Sequence, residues 1–213
     1  MKTFMMCLFY FLTSFYLVVI SGYDIVSNYS LIYSLSIPLI MASTYIISML
    51  FTGILHFTFD NYFTTNTPII GVVVHEFRTH HVDPGLIARN SILQAINHVV
   101  IVAIFINLLS LFVKNPFIIQ ILIGFGFFGV ITNIVHRYNH LKPDTKMPLF
   151  IEWAQKLKLI QNNQEHNIHH TAQHTTSFFI LSDIFNPYFN KKDIWRKITV
   201  IVKSLTGVKA VDF

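Results

Sequence analysis

Eleven histidines occur in this chain of 213 residues, and several are spaced as metal ligands are. His136 and His140, in HRYNH, stand at i and i+4, so their imidazoles project from one face of a helix. His56 and Asp60, in HFTFD, repeat that spacing. In QEHNIHHTAQH, residues 164–174, His166, His169, His170 and His174 fall within a helical arc of roughly 140°. That arc is too wide for one ion and suits a face shared between two. Neutral imidazole binds iron, zinc and copper, so ligand type alone leaves the metal open. An apolar chain gains nothing in packing from so many imidazoles, and a merely solvated face does not account for HRYNH beside HNIHH.

The elements that must position these residues are set by composition. Hydrophobic residues make up 53% of the chain and charged residues 12%, about half the charged share of a soluble domain. An integral membrane protein is indicated. A bilayer-crossing helix needs about 20 apolar residues, and four stretches approach or exceed that: 4–20, 31–55, 94–113 and 117–135. The expectation is an all-α integral membrane fold of about four transmembrane helices with a cytosolic histidine-rich cap. Residues 1–30 read as an N-terminal transmembrane helix and outer loop, and residues 31–213 as the membrane-embedded domain. Lys2 and ISG also fit a signal peptide, but the apolar core is long for one and a retained helix is favoured. Pro38 starts or kinks the second span. Gly124, Gly126 and Gly129 allow close helix approach in the fourth. PIIGVVV, 68–74, is too short to span and reads as interfacial or re-entrant. The single Cys7 excludes an intramolecular disulfide.

Charge gives the orientation. The 21–30 connection has no Lys or Arg, and the turn between the third and fourth spans has only Lys114. Lys2, Arg78, Arg89 and every Lys and Arg from Arg137 to Lys209 fall on the other side. The positive-inside rule then places both termini and the 56–93 segment in the cytosol. The histidines lie on that side or at its boundary. His56 ends the second span and His136 the fourth, while His75, His80 and His81 lie in the first cytosolic segment. His75, isolated, reads as a surface residue. His98, about one turn inside the third span, either faces a functional interior or is incidental. The net charge of +5 does not point to nucleic acid. Lys156, Lys158, Lys191, Lys192, Arg196 and Lys197 suit anionic lipid headgroups instead.

Histidine boxes at the cytosolic ends of membrane helices suggest a diiron oxygenase. Breaking an unactivated C–H bond is beyond amino-acid side chains. Two iron ions with dioxygen as co-substrate supply that chemistry, while the protein orients the substrate. A site at the membrane surface admits a lipid chain from the bilayer. The rivals fit less well. A zinc protease requires H-E-x-x-H, but HEFRTH sets His75 and His80 at i and i+5. A b-type cytochrome carries facing histidines within its spans. A membrane metal transporter, the non-enzyme alternative, needs ionisable residues near the midplane, and the spans have almost none. Hydroxylation and desaturation share their first hydrogen abstraction and are not separated by these residues. With no haem- or flavin-binding segment visible, electrons are expected from a partner such as cytochrome b5 or a ferredoxin, which a basic cytosolic surface suits.

HFTFD, FRTHHVDPGLI, TNIVHRYNH and EHNIHHTAQH resemble, in order and approximate spacing, the lipid desaturase family of plasmanylethanolamine desaturase (Kua). That family includes a plant plastid palmitate desaturase. The tail WRKITVIVKSLTG is similar to the family's C-terminal region, so the resemblance covers about residues 50–212. It implies an oxidoreductase that dehydrogenates a lipid chain with dioxygen, forming the vinyl ether of plasmalogens from plasmanyl (alkyl-ether) phospholipids. An acyl-lipid (fatty acid) desaturase or hydroxylase is the alternative. Carried over motif by motif, the implied iron ligands are His56, His80, His81, His136, His140, His166, His169, His170 and His174. Asp60 matches an acidic position that ligates or orients a ligand. Asn133, i−3 from His136, matches a residue placed to support one. Three departures stand out: Glu165-His166 where the family often pairs histidines, Gln173 where a proline often precedes the last histidine, and Asn97-His98 in place of an acidic stretch. His98 is thus a replacement ligand or incidental, and both lipid classes stay open. The implied location is a bacterial inner membrane or the endoplasmic reticulum, with the site on the cytosolic face.

Overall fold

The computed structural model describes residues 2–29, 35–142, 144–171 and 174–211. Among them the secondary structure is helical throughout, in eleven helices. These are α1 (Lys2–Asn28), α2 (Ile37–Asn61), α3 (Gly71–Val82), α4 (Gly85–Arg89), α5 (Ile92–Ala95), α6 (Asn97–Ser110), α7 (Pro116–Asn139), α8 (Leu149–Lys156), α9 (Asn163–Thr171), α10 (Asn186–Lys191) and α11 (Ile194–Thr206). The all-α membrane fold is as expected.

Three helices, α1, α2 and α7, with 27, 25 and 24 residues, are long and apolar enough to cross a membrane. At 1.5 Å per residue each exceeds the roughly 30 Å hydrocarbon core. The stretch expected as the third span differs. Ser91 opens a separate short turn, α5, through a reciprocal capping box with Gln94. The apolar helix that follows, α6, has only 14 residues, about 21 Å of rise. PIIGVVV enters α3, whose 12 residues are also too few to span.

The chain forms two compact units, residues 1–49 with 91–134 and residues 50–90 with 135–213. In the first, Tyr10, Ile96, Val100, Ala103 and Val130 form an apolar core. Polar side chains tie α1 into it. The Asn107 amide donates to Thr13 Oγ1 at 3.0 Å and Ser14 Oγ at 2.8 Å, and the Gln120 amide donates to Ser21 Oγ at 2.7 Å. In apolar surroundings such amides must find partners, and α1 supplies them. Gly124 gives the close approach expected of it, since a Cβ there would lie 2.6 Å from Met41 Cε and 3.0 Å from Thr44 Cγ2.

The second unit is built on aromatic packing. Trp195 of α11 stacks on Phe57 of α2 at 4.9 Å, and Phe178 meets both rings edge-on. Residues 177–182, SFFILS, are non-helical and entirely buried. Phe179 lies so close to α2 that a Cβ on Gly53 would stand 2.2 Å from its Cδ1.

Candidate metal centre

Nine of the residues singled out above gather in the second unit as two groups. His80, His136, His140, His166 and His170 form one, and His56, Asp60, His81 and His169 the other. Within each group the candidate ligand atoms all lie within 4.8 Å of one another. Four elements deliver them: the C-terminal ends of α2, α3 and α7 (with His140 one residue beyond) and the whole of α9. The i,i+4 pairs His136/His140, His166/His170 and His56/Asp60 each stay within one group. The adjacent pairs His80-His81 and His169-His170 are divided between the groups, because neighbouring helical residues point about 100° apart.

In the five-histidine group, His140 Nε2 lies 3.1 Å from His136 Nε2 and 2.9 Å from His166 Nε2, and His170 Nε2 is 3.2 Å from His166 Nε2. A neutral imidazole carries one N–H, so these convergent nitrogens satisfy one another only in part. His80 Nε2, in the same group, is buried without a hydrogen-bond partner among the described residues. In the second group, Asp60 Oδ2 lies 3.2 Å from His56 Nε2 and 3.7 Å from His169 Nε2, and Oδ1 is 3.8 Å from His81 Nε2. Both carboxylate oxygens and His56 Nε2 are buried without hydrogen-bond partners among the described residues. Converging lone pairs and a buried carboxylate without a hydrogen-bond partner fit a cation in each group.

The protonation states agree. Burial, reinforced by neighbouring imidazoles, pushes His80, His81, His166 and His169 well below the usual histidine range. The same causes push His140 down to about 4 and His170 to about 3. At neutral pH these rings are uncharged, which is the form that binds metal.

Two rings of the Asp60 group are held by backbone. His56 Nδ1 donates to the Phe178 carbonyl at 3.2 Å, and His169 Nδ1 donates to the Thr176 carbonyl at 2.8 Å. A carbonyl can only accept, so each Nδ1 carries the proton and each Nε2 keeps its lone pair for the group's interior.

The other candidates are placed as follows. His174 is in neither group, but its ring stacks on His81 at 4.0 Å with an interplanar angle of 3°. The single helical face expected for the four histidines of 166–174 therefore ends early. The helix is described to Thr171, and His174, at φ 57°, lies in a turn and donates its N–H to the His169 carbonyl. Gln173 lies outside the described residues. His75 is exposed on α3, and His98 is exposed at the start of α6; neither joins a group. Asn133 donates to the Gly129 carbonyl of its own helix at 3.4 Å. Glu165, partly buried in the first turn of α9, is also in neither group.

Sequence reasoning missed the residues that hold the 176–182 segment. Asn190 accepts from the Ser177 N–H and donates to its Oγ. Asn186 brackets Phe179 through both its N–H and its carbonyl. Gln161 donates to the Phe179 carbonyl and accepts from Asn139. The visible signals were the Asn186/Asn190 spacing and an apolar run between two serines.

A model of the lipid desaturase domain matches residues 45–212. A protein of Acanthamoeba polyphaga mimivirus named as a probable fatty acid desaturase is 28% identical over 170 residues, 78% of this chain and 82% of that one. Plasmanylethanolamine desaturase 1 of Mus musculus is 27% identical over 169 residues, 74% of this chain and 62% of its own length. The chloroplastic fatty acid desaturase 4 of Arabidopsis thaliana is 24% identical over 166 residues, 78% of this chain and 51% of the plant protein. The chain thus spans about half to four-fifths of these relatives. No solved structure matches it.

Proposed function

The chain belongs to the lipid desaturase domain family, and from that premise we propose that it is a multi-pass membrane diiron desaturase that converts plasmanyl phospholipids to plasmalogens. The observation that carries the reading is the pair of buried groups, neutral imidazoles plus one carboxylate, in the region the family model covers. His56, Asp60, His81 and His169 would hold one iron, and His80, His136, His140, His166 and His170 the other. His174, stacked on His81, would complete or brace the first group. Asn133 and His98 join neither group and are given no ligand role.

The iron pair, when bound, supplies the oxidising chemistry with dioxygen that side chains lack. In balance, the lipid loses two hydrogens, a donor supplies two electrons with two protons, and one dioxygen becomes two waters. Asp60 contributes the only negative charge among the nine grouped residues. The Phe178 and Thr176 carbonyls keep His56 and His169 in one tautomer, and burial keeps water from competing for the centre.

The vinyl-ether product rests on the named activity of the mouse relative. An acyl-lipid desaturase is the second reading, favoured by the names of the viral and plant relatives. The electron donor is a cytochrome b5- or ferredoxin-like protein. The charge distribution supports a cytosolic-side centre in a bacterial inner membrane or the endoplasmic reticulum. Residues 1–30 are read as a retained helix and outer loop ahead of the catalytic domain, since loss of α1 would strip Asn107 and Gln120 of their partners.

The test is lipid analysis in a cell that makes alkyl-ether phospholipids but lacks a desaturase for them, expressing the wild type beside His170→Ala. Acid-labile vinyl ethers from the wild type alone are the expected result. New acyl double bonds without vinyl ethers would move the substrate to the second reading. Zinc in place of iron, with neither product, would overturn the desaturase.

A further inference from the structure

The buried segment 176–182 has no helix or sheet ladder to satisfy its backbone, and a buried unpaired peptide group is costly. Side-chain amides take that role. Asn186 and Asn190 lie i,i+4 on one face of α10, and each grips one residue of the segment at two points. Asn190 Oδ1 accepts from the Ser177 N–H at 3.2 Å, and its Nδ2 donates to Ser177 Oγ at 2.9 Å. Asn186 Oδ1 accepts from the Phe179 N–H at 3.1 Å, and its Nδ2 donates to the Phe179 carbonyl at 2.8 Å. Ser177, at φ 59°, is held in the left-handed region, which is costly for a residue with a Cβ. The clasp by Asn190 offsets that cost.

The carbonyls on either side of the gripped Ser177 are those of Thr176 and Phe178. These are the two that accept from His169 and His56, which belong to the same group. Among the described residues no ring of the five-histidine group bonds the 176–182 backbone. His166 Nδ1 and His170 Nδ1 have no hydrogen-bond partner among the described residues, and the His80 ring donates to the Glu76 carbonyl of its own helix.

We infer that Asn190, with Asn186, is a positioning residue that acts through the Thr176–Phe178 backbone to orient the imidazoles of the Asp60 group alone. The two ions would therefore be held with separable affinities, one depending on α10 and one not. The inference rests on the reading of these histidines as iron ligands.

The test measures iron per polypeptide in full-length protein purified in detergent, for wild type, Asn190→Leu, Asn190→Asp and His166→Ala. Loss of an orienting partner weakens metal affinity by about 10- to 100-fold. With free iron buffered between the intact and the weakened affinity, Asn190→Leu is expected to retain about half the wild-type iron, with its gel-filtration profile unchanged. Asn190→Asp keeps an acceptor for the Ser177 N–H and can accept from Ser177 Oγ, so it should restore full loading. His166→Ala should lose the complementary half, and combining it with Asn190→Leu should leave almost none. Full iron in Asn190→Leu would overturn the inference. So would proportionate loss from both groups, seen as a clear remainder of iron on combination with His166→Ala, or failure of Asn190→Asp to rescue a folded protein. Wild-type protein that binds no iron would instead overturn the underlying desaturase reading.

Discussion

Metal removal should destabilise the second unit by an amount that the buried polar atoms set. Among the described residues His56 Nε2, His80 Nε2 and the Asp60 carboxylate are buried without hydrogen-bond partners. A buried unsatisfied group costs about 1–3 kcal/mol, and a charged one more. Three such residues put the difference between iron-loaded and iron-free protein at about 3 kcal/mol or above, a large part of the 5–15 kcal/mol that holds an ordinary domain. For a chain of this size that corresponds to a fall in Tm of about 6–12 °C at the lower bound. Trp195 is the reporter, because it is 2% exposed and stacked on Phe57 beside the centre. Trp153 is 61% exposed, and Trp153→Phe removes its signal without touching the core. Thermal unfolding followed by Trp195 fluorescence, with iron loaded or chelated in the same detergent, reads the shift. The sign should reverse in His80→Leu. Iron-free, this variant should melt above the iron-free wild type, because an apolar side chain removes one buried unsatisfied nitrogen; iron-loaded, it should melt below the loaded wild type. A chelation shift under about 2 °C, or no reversal, would refute the reasoning.

Further predictions concern single positions. Gly53→Ala forces a Cβ against the fully buried Phe179 ring and should cost about 1–3 kcal/mol by overpacking, seen as a lower Tm and reduced iron content. His140→Ala should abolish desaturation while the protein still inserts, whereas His75→Ala, at an exposed position outside both groups, should retain wild-type turnover in the same lipid assay. Helix α11 exposes Ile201 and Leu205, the latter at 80%, beside Lys197 and Lys203, as an in-plane interfacial helix does. In a Cys7→Ser background, a spin label at Leu205→Cys should collide with dissolved oxygen and be shielded from a water-soluble nickel complex. Equal nickel access at 203 and 205 would show that this face does not enter the membrane.

How legible each feature was depended on the range of the forces behind it. The spans α1, α2 and α7 follow from local hydropathy, which a single helix expresses without help from the rest of the chain. The 94–113 stretch is equally apolar, but the Ser91–Gln94 capping box and a stop at Ser110 divide it, and a hydropathy window averages over both. The 176–182 segment was illegible for the opposite reason. Its backbone is satisfied by Gln161, Asn186 and Asn190, which come to it only once α9, α10 and α11 have folded around Phe57. A buried irregular segment has no periodicity of its own, so the one trace it leaves is the spacing of the amides that serve it.

The histidines lie between these limits. Helical geometry alone required that residues four apart act together, and HRYNH, HFTFD and the 166/170 pair each contribute to a single group. The same geometry required that adjacent histidines act apart. His80-His81 on α3 and His169-His170 on α9 do so, each pair sending one ring to either group. Two doublets on two helices are therefore enough to link a pair of sites from both sides, because each helix fixes its two rings at one angle. Replacing one member of a doublet should then disturb its own group directly and the other only through the helix. An insertion immediately ahead of either doublet should instead rotate both of its rings by about 100° and disturb both groups together. His174 escapes this logic because it lies in a turn beyond α9. Its place against His81 is set by a turn, and no count along the helix could have supplied it.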